Sequence, residues 1–374
     1  MRDALPQGIL PISNISCTMP ATHYFRPIPQ PDGGRWRLAG GWVGFSRLER
    51  LSRDAPPVIV EEAPPEIIAA LTAPRAPVLG LAMDAPRIMG IVNVTPDSFS
   101  DGGRWDADGG LAQGRALIDA GADMLDIGGE STRPGAAEVS VADEMARVRP
   151  AIEALGDRIP VSVDTRKASV ARAAVGAGAG MVNDVSGLDF DPGMAAAVVD
   201  TSAAICIMHA QGVPETMQDD PRYGDVLLDV YDALADRIAR AEAAGIPRDR
   251  IVIDPGIGFG KTGDHNLAIL RRISLFHALG VPVLLGVSRK RFIGTLAGVD
   301  QPDRRDPGTL ALTLAAVAQG IQIHRVHDVA GIRQGLTLWR AAQEGSRQAA
   351  QDIAWQAAQE QPGSRQATER GYGA

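Results

Sequence analysis

The stretch RIMGIVNVTPDSFSDGG (residues 87–103) is an apolar run that stops abruptly in Asn, Asp, Ser and Gly. Seven more runs of this kind follow before Asp328, ending in DIGGESTRPG, SVDTRK, VNDVSG, IMHAQG, DPGIGFGK, GVSRK and RVHD. A helix-like stretch fills most of the gaps, and residues 226–244 show the clearest helical spacing. Eight strand–helix units at this scale predict an α/β fold, a (β/α)8 TIM barrel of about 250 residues. The strands are expected at residues 88–94, 124–127, 161–163, 181–185, 204–208, 251–253, 282–286 and 321–326. Such barrels carry their chemistry on the loops at the C-terminal ends of the strands. Here the polar and charged residues gather at those ends.

Working outward, the chain divides into an N-terminal extension (1–86), the barrel (87–344) and a tail (345–374). Residues 1–34 read as a flexible lead rich in Pro and Gly. Residues 35–51 read as two strands about a Gly40-Gly41 turn, and 54–86 as a proline-punctuated linker with a helix at 65–71. AAQEGSRQA (341–349) recurs as AAQEQPGSRQA (357–367), a polar repeat expected to be frayed or disordered.

The composition narrows the function. A net charge of −8 over 374 residues argues against general nucleic-acid binding. Two cysteines, Cys17 and Cys206, form no disulfide framework, which fits a cytoplasmic protein. The first twenty residues do not read as a signal peptide, and no uncharged apolar run is long enough to span a bilayer. Only three of the 37 basic residues are lysine, namely Lys167, Lys261 and Lys290. Each follows an expected strand, which suggests that a compact ammonium is needed there.

The strand ends hold the candidate chemistry. Asn93, with Asp97 and Asp101 beyond it, offers oxygen donors suited to a hard cation such as Mg2+. Gly128 and Gly129 lead to Arg133, whose fork suits a carboxylate. Asp164, Asn183-Asp184 and Asp254 point carboxylates or a carboxamide at one barrel mouth, where a ligand rich in N–H donors would satisfy them. Taken singly, each also fits a helix N-cap. GIGFGK (256–261) lacks the P-loop spacing, and Phe259 among its glycines suits a flat wall for a planar ring. Ser288, Lys290, Arg325 and His327 make a cationic cluster on loops that commonly bind phosphate. No nucleophile elbow, HExxH or zinc spacing is present in the sequence.

Taken in order over residues 87–339, these loops resemble the signature loops of the dihydropteroate synthase family. NVTPDSFSDGG and GGESTRPG carry most of the likeness. The resemblance implies condensation of 6-hydroxymethyl-7,8-dihydropterin diphosphate with p-aminobenzoate, with release of diphosphate, on the folate route. It implies a pterin site at Asp164, Asn183, Asp254 and Lys290, with Ile91, Met208, Gly286 and Phe259 as apolar neighbours. It places p-aminobenzoate among Phe99, Thr132, Arg133, Pro134 and Ser288. Diphosphate falls to Asn93, Thr132, Arg325 and His327, with Mg2+ on Asn93. Asp101, Arg133, Lys290, Arg325 and His327 are then the catalytic set, for a dissociative, SN1-like displacement. A homodimer and competition by sulfonamides are implied as well. The competing readings are a corrinoid-type pterin methyltransferase, which has no use for Arg133-Pro134, and an inactive scaffold, which would have lost residues that are present.

Overall fold

The computed structural model describes residues 22–30, 33–94, 107–131, 138–212 and 217–343. Five short strands, β1 (Tyr24–Pro27), β2 (Trp36–Arg37), β3 (Gly44–Phe45), β4 (Leu48–Leu51) and β5 (Val58–Val60), and a helix, α1 (Pro65–Thr72), precede the eight expected strands, all of which form: β6 (Arg87–Asn93), β7 (Met124–Gly128), β8 (Val161–Asp164), β9 (Met181–Asp184), β10 (Ala204–Met208), β11 (Ile251–Asp254), β12 (Leu284–Leu285) and β13 (Ile323–Val326). They make one parallel sheet in the order β11-β10-β9-β8-β7-β6-β13-β12. A parallel bridge between Ile253 and Val283, with Ile253 N–H donating to Pro282 O, brings β11 to β12 and closes the ring. The barrel is thus the expected one, although β12 is shorter than 282–286.

Alternation along each strand sorts the side chains. Leu125, Ile127, Val161, Val163, Val182, Ile205, Ile207, Ile251 and Ile253 face outward and join the main core with the helices. Those helices include α2 (Ala107–Asp119), α3 (Val141–Leu155), α4 (Ala168–Gly176), α5 (Met194–Thr201), α6 (Val226–Ala243), α7 (Gly263–Arg271), α8 (Arg291–Ala297) and α9 (Asp306–Val317), and a last helix covers residues 329–343. Met89, Met124, Met181, Cys206, Val252, Leu284 and Ile323 face inward as a second apolar cluster. Val78 and Met83 pack into this cluster from outside the ring and close the barrel floor.

The extension differs from expectation in two places. Tyr24–Pro27 lies in the segment read as a flexible lead, yet it forms a strand paired antiparallel with Leu48–Leu51, which also pairs with Val58–Val60. The lead is too rich in proline to show alternation, and its order comes from those tertiary partners. The linker likewise carries the floor plug at Val78 and Met83 as well as the expected helix, here Pro65–Thr72. The hairpin read over residues 35–51 is short, Trp36–Arg37 against Gly44–Phe45, because Leu48–Leu51 is taken by the other sheet. Leu38, Phe45, Leu48 and Leu71 then share a small core with Ala278 of the 3₁₀ helix Ile273–Leu279. Arg53 pairs with Asp229 and Asp232 on α6, while Arg26 and Arg272 converge on Glu49. Nothing is described beyond residue 343, so the repetitive tail lies outside the described residues.

Candidate active site

Above the apolar floor the inward positions turn polar. Asp126 on β7 is fully buried, and its Oδ2 accepts from Asn183 Nδ2 at 2.9 Å and from Arg325 Nε at 2.5 Å. A terminal guanidinium nitrogen of Arg325 donates to Asp164 Oδ2 at 2.8 Å. One arginine therefore ties the ends of β7, β8 and β13 together; burial works to lower its pKa, but the Asp126 and Asp164 carboxylates hold it above the ordinary value. Burial pushes Asp164 up to about 7; Arg325 opposes this, and the charges of Asp126, Glu144 and Asp184 reinforce it. Burial also raises Asp254, against the pull of the Gly256 N–H, which donates to Asp254 Oδ1 at 2.7 Å, and of Lys290 and Lys261. Lys290 caps the start of α8 and places Nζ 4.1 Å from the Phe259 ring centre. Burial, with Arg325 adding, lowers Lys290 to about 8.

The other expected residues surround this layer. Ile91 and Met208 are buried at the ends of β6 and β10. Asn93 ends β6 in register with Gly128. Ser288 Oγ meets His327 Nδ1 at 2.9 Å and accepts the His327 N–H at 3.1 Å, so the two phosphate-loop residues are coupled. Gly286 follows β12 beside Asp254: a Cβ there would lie 3.6 Å from Asp254 Oδ2. Asp184 does not join the site. It faces outward, and its carboxylate accepts from Ser186 and Leu188 to close the following turn. Phe99, Asp101, Thr132, Arg133 and Pro134 lie outside the described residues.

Asp126, Glu130, Glu144 and His209 were not anticipated. Asp126 is the chief one, and its signal was an acid at an inward position of an apolar strand, which burial tolerates only when paired. Lys167 bridges Glu130 Oε2 at 2.8 Å and Glu144 Oε2 at 2.7 Å, and Arg166 adds a second cation on Glu130. Glu130 also accepts the Val139 N–H, so it joins the two described edges of the loop after β7. Lys261 is buried among His209 and backbone carbonyls. Of the three lysines, only Lys290 reaches the polar layer.

The model of the family described as "Pterin binding enzyme" matches residues 89–327, well over half of the chain. The chain belongs to the pterin-binding enzymes. The dihydropteroate synthase of Escherichia coli strain K12 is 46% identical over 252 residues, which is 67% of this chain and 89% of that protein. The dihydropteroate synthase of Xanthomonas albilineans, solved with 4-aminobenzoic acid, superposes with a TM-score of 0.68 at 49% identity, covering 73% of this chain and 99% of that one. The Yersinia pestis dihydropteroate synthase, solved with a sulfonamide drug, gives a TM-score of 0.67 at 43% identity over 71% and 96% of the two chains. The activity within this pterin-binding family is that of dihydropteroate synthase, a transferase of folate biosynthesis.

Proposed function

We propose that the polar layer binds the aminopyrimidinone edge of 6-hydroxymethyl-7,8-dihydropterin diphosphate, and that p-aminobenzoate attacks its methylene carbon from the loops above. One observation carries this reading. Among the described residues Asp126 Oδ1 and Asp164 Oδ1, buried at the barrel mouth beside Asn183, Asp254 and Lys290, find no hydrogen-bond donor. Buried acceptors left without donors are costly, about 1–3 kcal/mol each. The N–H groups of a pterin ring would supply donors to the exposed edges of this layer. Asp254 and Asn183 take the ring's amide and amine, while Met208, Ile91 and Phe259 line its faces. The bare backbone at Gly286 leaves room for the ring over Asp254.

In this reading the difficult step is breaking the methylene carbon–oxygen bond to diphosphate. Lys290, Arg325 and His327 hold the departing anion, and Ser288 fixes the His327 ring. The arylamine then donates its electron pair to the methylene carbon, and the resulting ammonium releases its proton to water. Asp101 and Arg133 take their roles, steadying a cationic methylene and holding the p-aminobenzoate carboxylate with Thr132, Phe99 and Pro134, from the family likeness alone. Among the described residues no three His, Cys, Asp or Glu side chains form a metal nest. A lone carboxamide at Asn93 still suits Mg2+, which keeps water and borrows phosphate oxygens. Asn93 would hold that ion, and the bound ion would neutralise charge on the leaving diphosphate.

The test is binding of the pterin diphosphate with and without Mg2+, then diphosphate release on adding p-aminobenzoate. Asp254→Ala should abolish pterin binding, since each charge-assisted bond lost is worth about 1.5–3 kcal/mol. An unchanged dissociation constant would remove Asp254 from the ring site. The family likeness implies a homodimer, which sedimentation would check. Among the described residues no helix is long and apolar enough to cross a membrane, and a free, buried Cys206 suits the cytoplasm.

A further inference from the structure

We infer that Lys261 is a positioning residue for the pterin site: its amino group shapes the loop after β11 into the wall that holds Lys290. The inference rests on the assignment of the ring to Asp254 and Lys290. Lys261 is 2% exposed, and its hydrogen bonds run to the loops after β10 and β11. Its Nζ lies 2.9 Å from Gly256 O, 3.0 Å from Phe259 O, 2.9 Å from His209 Nδ1 and 3.3 Å from His209 O. Burial and the Lys261 charge push His209 down to about 2, so its ring is neutral and Nδ1 accepts. Burial holds Lys261 well below the ordinary lysine range, against the pull of Asp254, and its amino group donates to two carbonyls of one loop and meets a side chain of the preceding one. A planar guanidinium cannot point its donors at such a tetrahedral set.

The loop needs this clamp because of its backbone. Gly256 and Gly260 both have positive φ, +68° and +60°, and a side chain at either would collide with the backbone of the loop after β10. The two loops therefore lie directly on each other, and Tyr223 Oη donates to Gly260 O at 2.7 Å as a second stitch. The consequence reaches the site by two contacts. The Phe259 ring lies under Lys290 Nζ, and a Cβ at Gly258 would lie 3.2 Å from Lys290 Cδ. The Gly256 N–H orients Asp254. The charged groups facing Lys290 are Arg325, Asp254 and Asp164, and those facing Lys261 are Asp254, Arg237 and Lys290.

The test compares Lys261→Met with Tyr223→Phe in the full chain, measuring both Michaelis constants from about pH 6.5 to 10. Wild-type turnover of the pterin diphosphate is established first; its failure would strike the substrate assignment rather than Lys261. Lys261→Met is expected to raise the Michaelis constant for the pterin diphosphate about tenfold, the scale of a small misplacement. It is also expected to move the alkaline limb of kcat/KM from about 8 toward the ordinary lysine value. Tyr223→Phe should lower the melting temperature but leave that limb in place. Where Lys261→Met does not fold, Lys261→Gln keeps two N–H donors and should show both changes in weaker form. A folded Lys261 variant with wild-type constants and an unmoved limb would overturn the inference. So would an equal shift in Tyr223→Phe, which would make the effect general loosening.

Discussion

Lys290 carries its charge against burial and against Arg325, with Asp254 and Asp164 pulling the other way, and the balance leaves it at about 8. The charged form is the one that can meet a ring carbonyl or a phosphate. It is present below about 8 and lost as the pH rises through that value. The kcat/KM for the pterin diphosphate should therefore fall above about pH 8, and a profile flat to pH 10 would exclude Lys290 from that role. Lys290→Arg keeps the charge but widens the head group over Phe259. Turnover should drop about a hundredfold, and near wild-type kinetics would show that any cation suffices. At this scale the lysine bias was informative but incomplete. It pointed to three positions, and packing alone separates the one in the site from the two that hold loops.

The loop after β7 shows the same division for an element. Lys167 sits between Glu130 and Glu144, whose side chains are 5% and 0% exposed. Glu130 also has Arg166 and the Val139 N–H, whereas Lys167 is the one cation paired with Glu144 among the described residues. Lys167→Met would strand Glu144, a loss of about 3–5 kcal/mol, read as a lower urea midpoint at unchanged slope. A midpoint within experimental error of wild type would mean that Glu144 does not need this partner. The motif DIGGESTRPG showed that a functional loop begins there. Its internal clamp was not readable, because Glu130, Glu144 and Lys167 stand on three separate elements and meet only when β7, α3 and α4 are packed.

For the whole molecule, the extension and the buried ionisable groups set the stability. Tyr24, Leu38, Phe45, Leu48 and Leu51 are all nearly or fully buried against the barrel or the hairpin. Burying such side chains is worth roughly 1.5–3 kcal/mol each. Removing residues 1–53 should lower the melting temperature or solubility while leaving the Michaelis constants near wild type. Full stability with lost p-aminobenzoate binding would place the extension over the site instead. The pH dependence is a contest of opposite signs. His209, His277 and His324 are pushed down by burial to about 2, 3 and 4, so they favour the fold above their ordinary value and lose that as the pH falls below it. Asp164, Asp184 and Asp254 are raised by burial, so they gain protons in the fold first and favour it as the pH falls toward the ordinary carboxylate value. Glu49, Glu130 and Asp189 are held low by their arginine and lysine partners, and their contribution disappears only in acid. The melting temperature should change little from about pH 6.5 to 5 and fall steeply below about 4. A steady decline beginning at pH 6.5 would show that the histidines dominate.

The eightfold rhythm of apolar runs, the polar strand ends and the inward polar residues Asp164, Asn183 and Asp254 were all legible in the chain itself. The reason is local: a strand's alternation assigns each residue to the core or the lumen, and a glycine-rich stop marks where the strand ends. Tertiary structure decided the rest. It made Tyr24–Pro27 a strand, sent Val78 and Met83 to the barrel floor, turned Asp184 outward and set Asp126 and Lys261 behind the site. Each of these depends on partners distant in sequence, with Arg325 standing 199 positions from Asp126. Strand alternation says which way such a residue faces, but not which charge it will meet.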